Sequence, residues 1–454
     1  MQVVFDRRRP KCYIDQDSRL HSYTAGVFVN VHLAYGRRGL DVTLPDRNVR
    51  AVLTMGGAVP LEEPSAALRH AIDHPIGGQP LRKLAARARN ACVVINDITR
   101  PVPNRLILPP LLETLEGSGI ARDAITILVA TGLHRPSTPE EREEMVGREI
   151  LSRWRIIDHQ ARVSAGQQYL GTTTRGTPVF IDRVYCEADL KITTGFIEPH
   201  LMAGFSGGRK VVSIGCAGEE TIKTLHSPRF LEQPECCEGS IEKNPLHHEL
   251  LEIAAMAGHD FILNVSLDVS HAITGIFCGD PVLAHEAGVH HVRGAVKAVL
   301  PEPVDIVITS SAGYPLDLTY YQAVKGITAA LPVVRQGGML IVAAECAEGL
   351  GSREFATMAT IHNDVHRFIE TITSHPVVID QWQLEECAKA ARQVDVVLVS
   401  ENVHASHSNT MFIRTARTVE DALREGFRKL GDDASIAVIP KGPYTLVEIG
   451  SPQT

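Results

Sequence analysis

A glycine-rich stretch in the middle of the chain constrains the fold more than any other part of the sequence. It covers 195–210 and reads Gly-Phe-Ile-Glu-Pro-His-Leu-Met-Ala-Gly-Phe-Ser-Gly-Gly-Arg-Lys. The apolar run before it, 188–194, predicts a buried strand, and Gly204, Gly207 and Gly208 remove side chains where the backbone must turn or approach another group closely. Such a loop is typical of a ligand site, although an ordinary strand-to-helix connection gives a similar pattern.

Strand, loop and helix alternate before this stretch, which predicts an α/β fold with largely parallel sheets. Apolar strands at 91–95 and 124–130 are each followed by a polar loop and a helix. Thr138 and Glu141 form a capping-box sequence at the start of the second helix. Because parallel strands end along one edge of a sheet, the loops that follow them are expected to face one crevice.

A second strand–helix series follows Pro301-Glu-Pro303, which reads as a linker. We therefore predict a first α/β domain over 1–300, a second over 301–433 and a C-terminal tail over 434–454. A chain of 454 residues is long enough for two such domains.

Charge, hydropathy and cysteine usage narrow the class of function. The formal net charge of −8 argues against a nucleic-acid surface and favours a small ligand held by local positive charge. No apolar run reaches the roughly 18 residues of a membrane span, and no apolar segment of a signal peptide follows the basic run 7–9. The nine cysteines form no C-x-x-C pair, as expected in a reducing compartment. We predict a cytoplasmic protein.

Two histidines, His134 and His200, each follow a predicted strand in a loop. Imidazole titrates near neutrality, so two of them on opposite faces of a substrate could move protons in both directions. A racemase needs such an arrangement, because its two enantiomers present mirror-related groups.

Further charged side chains could bind an anionic substrate. Arg100 offers a fork for a carboxylate or phosphate, although an ion pair with Asp97 at the surface is the alternative. On a predicted helix, Tyr321 and Lys325 share a face, with Gln322 on nearly the same side. Lys325 either covers a core with its aliphatic stem or brings a cation into a cleft between the domains.

Together these motifs resemble the nickel-pincer lactate racemase family. The matching pieces are Asp97-x-x-Arg100, Gly132-Leu-His134-Arg135, Pro199-His200-x-x-Ala-Gly-Phe-Ser-Gly-Gly-x-Lys210, His226 and Tyr321-Gln322-x-x-Lys325. They cover most of the chain in the family's order, although Val211-Val-Ser stands where members usually have a proline shortly after the lysine. The resemblance implies two α/β domains with the active site in the cleft between them, and a tail that returns to the first domain.

The resemblance also implies a cofactor and a set of roles. Lys210 would be joined to a pyridinium-3-thioamide-5-thiocarboxylic acid mononucleotide that carries nickel, and His226 would be the protein ligand of the metal. His134 and His200 would be the acid/base pair, and Asp97 would orient Arg100 or a histidine. The cofactor would also be contacted by Asp97, Arg100, Gly207, Gly208 and Tyr321. The substrate would be contacted by Arg100, Gln322 and Lys325.

The implied function is racemisation or epimerisation of a 2-hydroxy acid, lactate or a larger relative, by reversible proton-coupled hydride transfer to the bound nucleotide. The enzymes that make the cofactor would be partners. The main alternative is a nucleotide- or nickel-cofactor-binding protein without turnover. A P-loop is disfavoured because no G-K-[S/T] follows the glycines. A metal hydrolase is disfavoured because the pairs His70/His74 and His362/His366 lack the glutamate of H-E-x-x-H.

Overall fold

The structure is a computed structural model that describes residues 27–268, 270–403 and 411–450. The basic run 7–9, on which the predicted lack of a signal peptide depends, lies outside these ranges. The strands, in chain order, are β1 (Phe28–Leu33), β2 (Leu40–Pro45), β3 (Val49–Val52), β4 (Ala91–Asn96), β5 (Ile125–Ala130), β6 (Arg155–Asp158), β7 (Gln167–Thr172), β8 (Pro178–Asp182), β9 (Leu190–Phe196), β10 (Pro199–His200), β11 (Gly204–Phe205), β12 (Phe261–Leu267), β13 (Ile273–Gly279), β14 (Lys297–Leu300), β15 (Val304–Ser310), β16 (Val334–Ala343), β17 (Asp395–Val399), β18 (Arg414–Ala416), β19 (Ile436–Ile439) and β20 (Leu446–Ile449).

The helices connect and cover these strands. In chain order they are α1 (Pro64–Asp73), α2 (Leu81–Ala85), α3 (Asn104–Gly117), α4 (Pro139–Arg153), α5 (Arg183–Cys186), α6 (Arg209–Ser213), α7 (Glu219–Leu225), α8 (Pro228–Leu231), α9 (Pro245–Ala257), α10 (Leu283–Val296), α11 (Tyr320–Ala330), α12 (Arg353–Ile361), α13 (Val365–Ser374), α14 (Gln381–Ala391) and α15 (Val419–Leu430). The predicted capping box at Thr138 and Glu141 starts α4. No helix in the described ranges is long and apolar enough to cross a membrane.

The first sheet has the strand order β13-β12-β9-β4-β5-β6. All its neighbours run parallel except β13, which pairs antiparallel at the edge. In β4, Val93 and Ile95 pack into one apolar cluster with α1–α4, whereas Cys92 and Val94 pack into another with α6, α7 and α9. The sheet is buried on both faces, which explains why its strands are continuous apolar runs in the sequence.

The second sheet has the order β18-β17-β16-β15-β19-β3, and every strand pair in it is parallel. Helices α11–α14 cover one face, and α15 with the β1–β2 hairpin covers the other. The predicted fold class, two α/β domains with largely parallel sheets, is confirmed.

The structure corrects the start of the predicted first domain, 1–300. Strand β3 pairs with β19 at the edge of the second sheet. The apolar face of the hairpin before it, including Val31 and Leu44, packs on Ile306 and Ile308 of β15. The segment from β1 to β3 therefore belongs to the second domain. A hairpin with one apolar face can cover either sheet, so its local pattern could not decide between them.

The predicted tail, 434–454, is shared between the two domains. Strand β19 stays in the second sheet between β15 and β3, whereas β20 pairs with β14, which follows α10. Leu446 of β20 packs with Ile197 and Phe205 of the first domain. Only the part of the tail from about β20 onward approaches the first domain, and residues 451–454 lie outside the described ranges. Helix α10 ends at Val296 because the chain turns into β14.

Candidate active site

The glycine-rich stretch forms a tight loop between β9 and α6. Strands β10 and β11 pair antiparallel within it, and His200 lies opposite Gly204. At Gly204, φ is +75° and an added Cβ would lie 1.9 Å from the carbonyl oxygen of Ser240. Only glycine tolerates so close an approach in left-handed backbone. The close approach predicted for this position is confirmed.

We expect Gly204→Ala to destabilise the protein strongly. Positive φ costs an L-residue roughly 1–2 kcal/mol, and overpacking against the carbonyl of Ser240 adds roughly 1–3 kcal/mol. The matched control is Gly78→Ala, because φ there is +71° but no atom lies within 4 Å of an added Cβ. Denaturant unfolding of the two variants separates the contributions, and equal losses of unfolding free energy would contradict the steric explanation.

Arg209 joins the segments of this loop from the interior. Its side chain is 1% exposed, and its guanidinium donates to the carbonyl oxygens of Ala203 at 2.8 Å and Phe205 at 3.0 Å. Burial lowers its pKa to about 9. Within the described part of the chain no carboxylate pairs with it. Arg209 therefore stabilises the loop rather than facing a ligand.

Gly207 and Gly208 lie where protein atoms approach the backbone closely. Their φ angles are +78° and +50°, and added Cβ atoms would lie 2.8 Å from the side-chain oxygen of Asn264 and 2.8 Å from the ring of His285. The Gly208 N–H also donates to Asn264 at 2.8 Å. Protein atoms thus fill the space that the two missing side chains leave. Both glycines therefore serve the packing of the loop, and their contact with the cofactor stays a prediction.

Asp97 and His134 meet at the carboxyl edge of the first sheet, after β4 and β5. His134 Nδ1 lies 2.6 Å from Asp97 Oδ2, and Thr99 donates to the other oxygen at 2.6 Å. An ionised carboxylate only accepts, so Nδ1 carries the hydrogen and Nε2 of the neutral ring keeps a lone pair. Burial alone would raise the pKa of Asp97, but the hydrogen bonds from His134 and Thr99 and the charge of Arg100 lower it. Asp97 therefore pairs with a histidine, the second of the two expected alternatives.

A second His–Asp pair, His159 with Asp182, differs from the pair of His134 and Asp97 in its burial and in its free hydrogen-bonding positions. His159 Nδ1 lies 2.8 Å from Asp182, and its Nε2 lies 2.8 Å from the carbonyl oxygen of Ala217. That ring is buried with both nitrogens bonded, whereas the side chain of His134 is 52% exposed. Of the two, only His134 has a nitrogen available to a substrate.

His200 has the opposite hydrogen-bond pattern to His134. Its Nδ1 accepts from the backbone N–H groups of Met202 at 3.3 Å and Ala203 at 3.2 Å. In the neutral ring the hydrogen is therefore on Nε2. Burial, followed by the charges of Lys210 and Arg100, lowers the pKa of His200 well below its usual range. The two imidazoles thus offer one free lone pair and one N–H donor.

Lys210 lies at the start of α6, and its amine is close enough to other cationic side chains to be affected by their charge. Burial lowers the pKa of its amine to about 7, and the charges of Arg100 and Lys325 contribute to that shift. The amine has no hydrogen bond or ion pair with any residue that the structure describes. A lysine of this kind is deprotonated in part at neutral pH and is a competent nucleophile.

We expect Lys210→Met to raise the pKa of His200, because it removes the cation whose charge most strongly opposes protonation of that ring. The measurement is an NMR titration of the imidazole resonances, assigned with a His200→Gln variant. The control is Lys83→Met, on the surface at α2. If the His200 titration were the same in both variants, the two residues would not share one electrostatic site.

His226 follows α7 and has one ring nitrogen without a hydrogen bond among the described residues. Its Nδ1 donates to the carbonyl oxygen of Ile222 at 2.8 Å, so Nε2 keeps its lone pair. Burial lowers its pKa to about 4, and the charge of Lys210 contributes to that shift. No group of three or more His, Cys, Asp or Glu residues in the described ranges could hold a metal. Among the described residues, His226 would therefore bind a metal only together with ligands from elsewhere.

The second domain contributes the start of α11 to the same site. Tyr321 accepts a hydrogen bond from Trp382 Nε1 at 3.0 Å, and the Trp382 ring lies 4.7 Å from that of His226. The buried Oε1 of Gln322 has no hydrogen-bond partner among the described residues. Burial and the charge of Arg100 lower the pKa of Lys325 to about 7. Lys325 thus faces a cleft, the second of the two positions expected for it.

Arg100, His200 and Lys325 line an opening of about 350 Å³ between the domains. Two carboxylates that the sequence analysis did not assign, Glu198 and Glu238, line it as well. Oε1 of Glu198 lies 3.6 Å from the Arg100 guanidinium. Glu198 stands two residues before His200 in the motif and could have been found from it. No local pattern marks Glu238 or Trp382.

The chain is similar to lactate racemases over most of its length. Residues 35–239 match the family model for the lactate racemase N-terminal domain, and residues 299–447 match that for the C-terminal domain. The lactate racemase of Thermoanaerobacterium thermosaccharolyticum is 34% identical over 423 residues, covering 92% of this chain and 99% of the relative. That of Lactiplantibacillus plantarum is 34% identical over 426 residues, covering 92% and 100%.

Solved structures agree with this similarity. The lactate racemase apoprotein from T. thermosaccharolyticum superposes with a TM-score of 0.88 at 34% identity, covering 92% of this chain and 100% of that one. A protein from Thermotoga maritima, at 18% identity and a TM-score of 0.65 over 87% of this chain, shares the fold alone. The chain is an isomerase that belongs to the lactate racemase family.

Proposed function

We propose that the protein is a racemase or epimerase of a 2-hydroxy acid, lactate or a larger relative, acting by reversible proton-coupled hydride transfer with a nickel-pincer nucleotide bound covalently to Lys210. The observation that carries the proposal is a group of neighbouring side chains: the charge of Lys210 lowers the pKa of both His200 and His226, and the charge of Arg100 lowers the pKa of Lys210, of His200 and of the carboxyl group of Asp97, which pairs with His134. The names of the similar proteins support lactate or a related acid as the substrate.

The side chains of Lys210 and His226 fit this cofactor. The amine of Lys210 is a nucleophile suited to an acyl-type linkage, and Nε2 of His226 is free to bind nickel. When bound, the nucleotide would supply the acceptor and donor of a hydride, which no side chain can provide. The described residues lack a complete set of metal ligands of their own, which is consistent with a metal held mainly by a cofactor.

The substrate would be oriented by charges from both domains. Arg100 and Lys325 carry the cations that face the cleft, and a carboxylate between them would compete with Glu198 for Arg100. The unpartnered Oε1 of Gln322 would accept a hydrogen bond from the ligand. Because these groups come from two domains, substrate binding would favour a closed cleft.

The two imidazoles would exchange the proton of the substrate hydroxyl. In one direction Nε2 of His134 accepts it, and Asp97 stabilises the imidazolium that forms. His200 would return a proton to the same oxygen as an imidazolium, which becomes the neutral ring again when the opposite enantiomer forms. The reverse reaction uses the two rings in the opposite order.

The proposed chemistry requires partner proteins, and the state of the cysteines indicates the cellular compartment of the enzyme. The enzymes that make the nucleotide would have to load Lys210 before the first turnover. Every cysteine in the described ranges is a free thiol, which supports a reducing, cytoplasmic setting.

The test is racemisation of a single enantiomer of lactate labelled with deuterium at Cα, using protein produced with nickel and the cofactor-making enzymes. Hydride transfer predicts that the product keeps its deuterium, since the hydrogen never becomes a proton. Loss of deuterium to water would overturn the mechanism. Retained nickel and modified Lys210 without conversion of any 2-hydroxy acid would favour the binding protein without turnover.

A further inference from the structure

Helix α14 turns one side toward the first domain, and Glu385 lies in the middle of that side. Residues 382, 385 and 392 are three and seven positions apart, a spacing that places them on one face of a helix. The ring of Trp382 packs on that of His226. Arg392, directly after the last turn, donates at 3.0 Å to the carboxylate of Glu232, which follows α8. Glu385 therefore lies between two contacts that join the domains.

The carboxyl group of Glu385 has no partner in this position. The residue is 0% exposed, and neither of its side-chain oxygens has a hydrogen-bond partner in the described part of the chain. The two cations that follow it along α14 are already engaged, Lys389 with Glu386 at 2.8 Å and Arg392 with Glu232. A carboxylate buried without a partner is costly, so the packed domains favour the protonated form of Glu385.

The charges around Glu385 leave its carboxyl group protonated at neutral pH while the domains are packed together. Burial raises the pKa of Glu385 to about 9. The positive charges of Lys389 and Arg392 oppose this shift. The negative charges of Glu386 and Glu232 add to it.

Other elements that pack on α14 supply no counterion either. Lys325 of α11 lines the cleft, and Asp395 of β17 is in an ion pair of its own. Tyr320 of α11 meets Cys387 on the opposite face of α14. None of these groups hydrogen-bonds to Glu385.

The loop after α8 brings Cys236 and Glu238 within range of the charge of Glu386. The remaining charged or titratable side chains of α8, of residues 233–237, of α12 and of α13 are exposed: Arg229, Glu235, Cys237, Arg353, Glu354, His366, Arg367 and Glu370. Glu385 is thus the buried carboxyl group without a counterion at this boundary, among the residues described.

We propose that Glu385 is a pH-sensitive switch of the cleft, in which loss of the proton from its buried carboxyl group drives the two domains apart. Separation of α14 from α8 would let water hydrate the carboxylate. The inference rests on the proposed function in taking this cleft as the reaction site, because an open cleft would hold Arg100 and Lys325 apart.

The direction of the pH dependence follows from the two states of the carboxyl group. With the domains packed it keeps its proton up to about pH 9, whereas in contact with water it would lose the proton near its ordinary pKa of 4.5. Between these values closure takes up one proton at Glu385. The equilibrium constant for closure therefore falls by up to about tenfold per pH unit as the pH rises, and below both values this group has no effect.

The experiment follows Trp382, which would leave the His226 ring when the domains separate. The chain has two tryptophans, so Trp154→Phe makes the fluorescence of the full-length, unmodified chain report on Trp382 alone. Between about pH 5.5 and 8.5 we expect the emission to shift to the red as the pH rises, and small-angle X-ray scattering to give a larger radius of gyration. Burial holds the pKa of His226 at about 4, so its protonation does not disturb the signal in this range.

Glu385→Gln in the same background keeps the size of the side chain and removes its titration. The variant is expected to lose up to about tenfold per pH unit of the dependence of closure. Glu385→Met, which is apolar and of similar length, should show the same loss. The matched control is Glu370→Gln on α13, where the side chain is exposed, and it should keep the dependence of the background protein.

Two results would overturn the inference. One is an emission and a radius of gyration that do not change with pH in the background protein. The other is the same pH dependence in both Glu385 variants as in the background protein, since other groups of the cleft would then drive the change. Because the measurement needs neither nickel nor the nucleotide, either result leaves the racemase function standing, and a failure of racemisation leaves the switch standing.

Discussion

Lys210→Arg is expected to leave the protein without nickel, without added mass at residue 210 and without racemase activity. A guanidinium stays protonated near neutral pH and cannot form the bond to the nucleotide. In contrast, burial and neighbouring cations hold the pKa of the Lys210 amine at about 7. The loss of activity should reach at least about 10⁶-fold, because the uncatalysed reaction is all that remains.

Intact-mass and peptide mass analysis measure the modification, and elemental analysis measures nickel. The control is Lys223→Arg on α7, which pairs with Glu219 at the surface and should keep full loading. A Lys210→Arg variant that still carried the nucleotide mass would show that the attachment site lies elsewhere. Loading of the control but not of the variant is the pattern that the proposal requires.

His134→Gln is expected to lower kcat by about 10²- to 10⁴-fold while modified Lys210 and nickel are retained. The variant removes the lone pair at Nε2 but leaves the cofactor residues, Lys210 and His226, untouched. Asp97→Asn should lower kcat in the same direction, because an amide can no longer hold the tautomer or stabilise the imidazolium. Chiral analysis of the product and elemental analysis on one preparation measure both properties.

His74→Gln is the control for this series, since His74 is an exposed residue at the end of α1. A His134→Gln variant with normal kcat would remove His134 from the proton path. A variant that lost nickel in proportion to activity would instead assign His134 to cofactor binding.

The site shows where local sequence is informative and where it is not. Asp97, His134 and His200 could be found because each follows an apolar strand in a parallel sheet, and such strand ends lie along one edge. Glu238 could not be found in this way, since its loop reaches the cleft only after α8 and the two domains have packed. Trp382 is equally remote, 156 positions after the His226 ring on which it packs.

The glycines illustrate the same limit. Their number and spacing correctly indicated a constrained backbone, but the direction of each missing side chain is a property of the folded chain. Ser240 and His285, which occupy the space beside Gly204 and Gly208, are distant in sequence. The pattern therefore predicted the need for glycine, whereas the atoms that require it at Gly204, Gly207 and Gly208 are visible only in the folded chain.

The sequence by itself determined the α/β class, the order of most strands and helices, and the identity of the charged and imidazole groups, because these depend on local periodicity and short motifs. Tertiary structure alone decided that β1–β3 join the second sheet, that Asp97 pairs with His134, and that Glu198 and Glu238 face Arg100 and Lys325. Those outcomes depend on which apolar faces pack together. Burial between the domains then shifts the pKa values of Lys210 and His200, an effect that no residue has in isolation.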